Sequence, residues 1–320
     1  MFAPRHCSPS QLARSVSTSR LLALPKHASG RFAHPSRLAW TTMSRSVATT
    51  TPPPAAASED QPKIKLYWLN DSRAQNTLWL LEELGLKYSV EVFRRGENRL
   101  APPELTGAHP LGKAPVLEIT PAGGAAPPLR LAESGYITQY LADHFGHRRP
   151  GLVPPRWREG HEGRVGGETE AYARYQYLLH YVEGSFFPLL VQFILINILK
   201  SDNVPFFIRP ITAPVANKIF AVALHPTVQK HLAMLEGFLK TAPGATGNGA
   251  FLCGPQLTAA DILISFGLVT ADQEKAFDAL GSYPGGSARA AHPAVFEYIE
   301  RLKRQPGYLK ALERAKEIEG

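Results

Sequence analysis

The stretch from Ile64 to Gly85 constrains the fold most. Ile64-Lys65-Leu66-Tyr67-Trp68-Leu69 is a short β-type run. The polar turn Asn70-Asp71-Ser72-Arg73 interrupts it, and Thr77-Leu78-Trp79-Leu80-Leu81-Glu82-Glu83-Leu84 follows with helical patterning. Gly85 stands where a helix needs a residue free to turn left-handed. A serine therefore sits where a strand hands over to a helix. Free N–H groups and the positive dipole end at such a place favour an anion, a thiolate included.

Further signals extend this unit. Tyr88–Phe93 and Val116–Thr120 read as strands, and Leu129–Leu131 supplies a fourth across the turn Pro121-Ala122-Gly123-Gly124-Ala125-Ala126-Pro127-Pro128. Ser134–Phe145 reads as a helix, with Ile137, Tyr140, Leu141 and His144 or Phe145 on one face. The order is β-α-β, a connection, then β-β-α. Pro115 must begin its strand, because proline cannot donate to a ladder. Glu133-Ser134 opens the last helix, where a serine serves as a cap or holds an anion.

Beyond the Pro/Gly-rich connection 147–155 the chain turns helical. Glu168–Lys200 forms a long pattern with Tyr172, Tyr175, Tyr177 and Tyr181 in series. Within it Ser185–Leu199 is mostly apolar but shorter than the ~20 residues that span a bilayer, which predicts a buried core helix. Pro205, Pro210 and Pro214 should limit regular helix in the apolar region after it. An interfacial apolar patch is the minority reading of the two segments. Thr258-x-x-Asp261 before Ile262–Val269 is a capping box, with Leu257 placed to staple onto Ile262. It reads as a folding element, so Asp261 is not a catalytic candidate. Cys253 reads as a small core residue, and further helices are expected at Pro293–Arg304 and Gly307–Ile318.

Charge is unevenly placed. The chain carries a net +8, of which residues 1–60 hold +5 (six Arg, one Lys, two acids), leaving 28 basic and 25 acidic residues elsewhere. The basic balance thus belongs largely to the leader, and nucleic-acid binding is not indicated. Met1–Ser58 has no acidic residue, and its arginines are interleaved with Ser and Thr, the composition of a mitochondrial transit peptide. A start at Met43 would instead leave a nearly uncharged arm, with the cytoplasm or the periphery of the endoplasmic reticulum membrane as alternative sites. Two cysteines without a CxxC argue against a disulfide framework, a zinc site or a dithiol centre.

Five words in order carry a family resemblance: Trp68-Leu69-Asn70-Asp71-Ser72-Arg73, Arg99-Leu100-Ala101-Pro102-Pro103-Glu104-Leu105, His109-Pro110-Leu111-Gly112-Lys113, Leu131-Ala132-Glu133-Ser134-Gly135 and Phe187-Pro188-Leu189-Leu190. From about Ile64 to its end the chain resembles the soluble glutathione transferases, and among them a fungal group with a membrane-associated yeast member. The resemblance implies an α+β fold: a thioredoxin-like N-terminal domain (63–146) followed by an all-α C-terminal helical bundle (160–320), with 1–62 as leader and linker. It implies a serine-type enzyme in which Ser72 contacts the thiol sulfur, with Asn70, Asp71 and Arg73 as its competitors for that place. Glu133 and Ser134 would hold the γ-glutamyl group of glutathione, Ala114 before a cis Pro115 would pair with the cysteinyl part, and Lys113 or Arg99 would take the glycyl carboxylate. Tyr172 and Tyr175 are candidates to line the pocket for a hydrophobic electrophile.

That family also implies a homodimer, no cofactor with glutathione as co-substrate, and conjugation or peroxidase chemistry on hydroperoxides. The rival readings are a glutathione-binding regulatory protein without turnover, and a pathway-specific isomerase or dehalogenase. Peripheral membrane association is a further expectation.

Overall fold

Side-chain alternation explains how the sheet divides its two faces. The computed structural model describes residues 61–320 except Asn98, Ala125, Gly247 and Asn248, and the expected leader and targeting segment lie outside the described residues. Strand β1 (Lys63–Leu69) sends Ile64, Leu66 and Trp68 into the main core, and Tyr67 and Leu69 into a small cluster with Leu105, Ala108, Ala114 and Val116. Helix α1 (Ala74–Glu83) follows. Its end forms a Schellman motif: Leu86 N–H reaches Leu81 O at 3.1 Å and Gly85 N–H reaches Glu82 O at 3.1 Å, with Gly85 at φ +58°.

Strands β2 (Ser89–Phe93), β3 (Val116–Thr120) and β4 (Leu129–Ala132) complete a sheet in the order β2-β1-β3-β4. β1 and β2 are parallel; β1–β3 and β3–β4 are antiparallel, with Tyr67 opposite Val116 and Val116 opposite Ala132. Helix α2 (Ser134–Phe145) closes the thioredoxin-like unit that the pattern of strands and helices implied.

The helical part comprises α3 (Glu170–Tyr181), α4 (Phe187–Asn197), α5 (Arg209–Ile219), α6 (His225–Lys240), α7 (Ala259–Gln273), the short α8 (Ala276–Ala279) and α9 (Ala288–Ala291), α10 (Pro293–Lys303) and α11 (Pro306–Glu319). Helix α7 is the central post and is buried on nearly every side. Its capping box forms as read: Asp261 accepts from Thr258 N–H at 2.8 Å and Thr258 Oγ1 at 2.5 Å, and also from Leu252 N–H (3.1 Å) and Tyr298 OH (2.7 Å). Asn76 of α1 ties the two parts together. It donates to Leu263 O at 2.6 Å and accepts from Ser265 Oγ and Phe266 N–H. On the other side α11 packs on α1, with Trp79 edge-on to Tyr308 at 5.1 Å.

Two expectations need correction. Glu170–Lys200 is one 31-residue helical run, joined through a π-helical turn at Val182–Phe186. It contains an 18-residue window of mean hydropathy 1.8, long and apolar enough to cross a membrane by length and composition, and only 22% of that window is buried. Ser185–Leu199 is therefore not a buried core helix: Val191, Ile194, Leu195 and Ile198 are exposed among the described residues. Pro214 lies inside α5 rather than ending it. The bond that it forgoes would go to Pro210 in the first turn of the same helix, where a loss costs least.

Candidate functional site

The turn between β1 and α1 is held by a side chain that the sequence did not single out. Arg95, just past β2, donates its Nε to Asn70 O (3.1 Å) and an Nη to Asp71 O (3.2 Å), while its N–H reaches Asn70 Oδ1 (2.8 Å). Asp71 is left at φ +49°. Ser72 follows, buried, with Oγ donating to Leu69 O at 2.7 Å and accepting from Ala74 N–H at 3.2 Å. Its hydroxyl thus closes the turn just ahead of α1, whose N-cap is Arg73.

Arg73 is anchored from two sides. Its Nη1 pairs with the Glu183 carboxylate on the π-turn, and its guanidinium lies 5.2 Å from the centre of the Phe187 ring. Burial pushes the Glu183 carboxyl up, opposed by Arg73 and reinforced by Glu133. Glu183 Oε1 and Ser134 Oγ are buried side by side, neither with a hydrogen bond of ordinary geometry, and the hydroxyl is close enough to favour the Glu183 carboxylate. Glu133 is exposed at φ +68°, a strained conformation for a non-glycine residue. A strained carboxylate and an unsatisfied hydroxyl at a helix start are the residue types that bind a ligand carrying both charges.

Two cavities meet at this point. A shallow polar slot is lined by Arg73, His109, Leu111, Lys113, Ala114, Pro115, Ala132, Glu133 and Ser134. An apolar cleft of about 340 Å³ takes Ser72, Arg73, Arg95, Lys113 and Ala114 on one side, and Phe187, Leu190, Val191, Phe193, Ile194, Phe266 and Gly267 on the other. Arg73, Lys113 and Ala114 belong to both. The size suits a small organic molecule. Gly267 keeps the cleft's floor low, since a Cβ there would come within 2.7 Å of Phe186 and 3.0 Å of Leu190.

Most of the residues singled out from the sequence converge. Ser72, Lys113, Ala114, Pro115, Glu133 and Ser134 all line the slot or the cleft, and the Ala114–Pro115 bond is cis. Arg99, the alternative to Lys113 for the glycyl carboxylate, lines neither cavity; its exposed backbone sits at φ +60° and its carbonyl accepts from Arg95. Tyr172 and Tyr175 line neither cavity. Tyr175 is 1% exposed in the core, and Tyr172 stacks beside it beneath Arg156, because that face of α3 turns towards the bundle. The cleft's aromatics come one helix later, from Phe187 and Phe193. Tyr67 lines neither cavity and donates to Glu118 at 3.2 Å. Glu183 carried a signal in the sequence: it is the one acidic residue between Glu170 and Asp202. Arg95, one of a pair beside Arg94, carried none.

Comparison with known proteins points the same way. The family model for the glutathione S-transferase N-terminal domain matches residues 62–143. The chain is 31% identical over 258 residues to glutathione S-transferase 1 of Saccharomyces cerevisiae, covering 80% of this chain and 97% of that protein. A crystal structure of a glutathione S-transferase from Actinobacillus pleuropneumoniae matches with TM-score 0.52 at 28% identity, over 78% of this chain and 92% of that one. A glutathione transferase homologue from Lodderomyces elongisporus, solved with two glutathione molecules per subunit, shares the fold (TM-score 0.55, 18% identity, 78% and 98% coverage).

Proposed function

Since this chain belongs to the glutathione S-transferase family, we propose that it binds glutathione in the polar slot and transfers the thiolate to an apolar electrophile held in the adjoining cleft. The observation that carries this reading is the sharing of Arg73, Lys113 and Ala114 between the two cavities, at the start of α1. The γ-glutamyl ammonium pairs with Glu133. Its carboxylate takes Ser134 and the N–H groups that open α2, supplying the partner that Ser134 Oγ lacks. The cysteinyl unit runs along the backbone of Ala114, beside Pro115, and Lys113 meets the glycyl carboxylate.

The sulfur then lies over the start of α1, facing the cleft. Ser72 turns its hydroxyl from Leu69 O towards it, and the proton of the thiol leaves to water. Attack on an electrophilic carbon forms the C–S bond as the carbon's leaving group departs, giving conjugation. Attack on a hydroperoxide breaks its O–O bond, releases the alcohol with a proton from water and leaves a glutathione sulfenic acid, which a second glutathione converts to the disulfide and water. Holding both reactants in one site and favouring the thiolate supply most of the rate. No bound cofactor enters this scheme. The protein acts as a homodimer, to be checked by sedimentation.

Exposed Phe206, Phe207 and Ile211, together with exposed Val191 and Ile194 at the cleft, support contact with a membrane surface from which apolar substrates could enter. The acid-free leader supports a mitochondrial destination, testable by fractionating cells that express the chain from Met1 or from Met43. The deciding experiment is glutathione-dependent turnover of aryl halides and organic hydroperoxides by the full chain, with glutathione binding titrated in parallel. Turnover that falls in Ser72→Ala with affinity retained is the expected result. Binding without turnover on any substrate would favour a regulatory protein.

A further inference from the structure

Ser72 has one proton to give, and the turn already uses it: Oγ–H donates to Leu69 O at 2.7 Å while Oγ accepts from Ala74 N–H. A bound thiolate at the junction of slot and cleft has another donor nearby. Of the side chains common to both cavities, Arg73 and Lys113 are cationic. Lys113 is exposed on the loop before β3. Arg73 is fixed from two sides, by Glu183 and by the Phe187 ring, and it stands at the N-cap of α1, where the helix adds its own positive end. Only one of its guanidinium nitrogens is used, by Glu183, among the described residues. The others remain available as donors in a fixed plane.

Resting on the transferase reading above, we propose that Arg73 is a second catalytic residue, donating to the glutathione sulfur, and that Glu183 is a positioning residue that holds the guanidinium at the junction. No bond is made or broken beyond ionisation of the S–H, whose proton goes to solvent. A charged donor that is pre-aimed favours the thiolate more than a neutral hydroxyl that must first leave another partner. The two residues act together: Ser72 adds a neutral donor once its hydroxyl leaves Leu69 O, and Arg73 supplies the charge. The π-turn at Val182–Phe186 has a reason on this view, since it sets Glu183 against the starts of α1 and α2 at once.

The test reads ionisation of bound glutathione by the ultraviolet absorbance of its thiolate against pH, in the full chain. Affinity for S-methylglutathione, which has no thiol, reports whether the slot is intact. Arg73→Met is expected to raise the bound thiol's pKa by about one unit or more, a tenfold loss of thiolate below it, with S-methylglutathione affinity kept within about twofold. Ser72→Ala should raise it by less. Arg73→Lys, which keeps the charge and loses the fork, should fall between wild type and Arg73→Met, and it decides the matter if Arg73→Met does not fold. Glu183→Gln keeps an oxygen for the guanidinium and removes the countercharge, so its bound thiol should ionise as readily as wild type or more so. The proposal is overturned if the arginine variants leave ionisation within about 0.3 unit of wild type. It is also overturned if Glu183→Gln raises the pKa as far as Arg73→Met, because the pair would then be scaffolding. Wild-type protein that binds neither glutathione nor its S-methyl derivative would instead remove the transferase reading on which the proposal stands.

Discussion

Two helix starts in this molecule use nearly the same chemistry to opposite ends. At the start of α7, Thr258 and Asp261 are buried and each oxygen of the carboxylate has partners, four hydrogen bonds in all. At the start of α2, Glu133 is exposed at φ +68° and Ser134 Oγ is buried without a hydrogen bond. The first pair is closed on itself and serves the fold. The second is left open, and an open polar group at a helix start is a place held for a ligand. An acidic residue and a hydroxyl near a helix start do not by themselves say which role they play; the completeness of their bonds does.

The largest effect should come from breaking the closed pair. Asp261→Ala strands two buried N–H groups and the Tyr298 hydroxyl, each costing roughly 1–3 kcal/mol, so a loss on the order of 3 kcal/mol or more is expected. Urea denaturation followed by far-ultraviolet circular dichroism measures it. A loss below about 1 kcal/mol would remove the contrast between the two starts.

The open pair should respond the other way round. Ser134→Ala removes only the loose contact of its hydroxyl with Glu183 in the unliganded fold, so stability should change by no more than about 0.5 kcal/mol. Glutathione affinity should fall by about tenfold, the worth of one charge-assisted hydrogen bond. Calorimetry and denaturation on the same preparation give both numbers. A large stability loss with unchanged affinity would make α2's start a second structural cap.

A third variant sharpens the comparison at the cleft. Gly267→Ala places a methyl group within 2.7 Å of Phe186 and 3.0 Å of Leu190, where α7 meets the π-turn and α4. The helices must shift, at a cost of about 1–3 kcal/mol. Because Gly267 lines the cleft and not the slot, KM for the electrophile should rise while KM for glutathione stays nearly constant. Equal changes in both would mean that the two cavities are not separate subsites.

These contrasts also show what was legible in the sequence. Strand β1, helix α1 and Gly85 could be read because a period of two gives way to one of 3.6 and a glycine ends it. The capping box at Thr258 could be read because its parts lie three residues apart. Slot residues Lys113, Ala114, Pro115, Glu133 and Ser134 were reached through the words that carry the family resemblance, since spacing alone left each with a plain structural role. Arg95 was beyond reach, and Glu183 showed only as a lone acid in an apolar run, because both act across the fold, 25 and 110 residues from the partners that they hold. Tyr172 and Tyr175 misled because aromatics at helical spacing look alike on either face, and only the direction in which α3 enters the bundle decides which face meets the cleft. The exposure of α4 was misjudged for a similar reason: an apolar run states that it avoids water, not what covers it.

The smallest expected effect concerns pH and lies far from both helix starts. His231 Nδ1 lies 2.7 Å from Tyr181 OH, and burial holds its pKa below the ordinary 6.5. In the unfolded chain this imidazole takes up a proton near pH 6.5, while the folded protein resists it. Below that pH the unfolded state therefore binds more protons, and stability falls as pH falls through this window and is fully present above it. Asp261 acts in a different window with the opposite sign. Burial raises its pKa, so folding is favoured below the unfolded aspartate's range near about 3.9 and this advantage fades as pH rises through the folded value. Urea midpoints measured from pH 8 to 5.5 should accordingly decline, and His231→Gln should flatten the decline without moving glutathione affinity, since the residue lines neither slot nor cleft. A slope unchanged in His231→Gln would assign the pH response elsewhere, with His292, also held low by burial, next to be replaced.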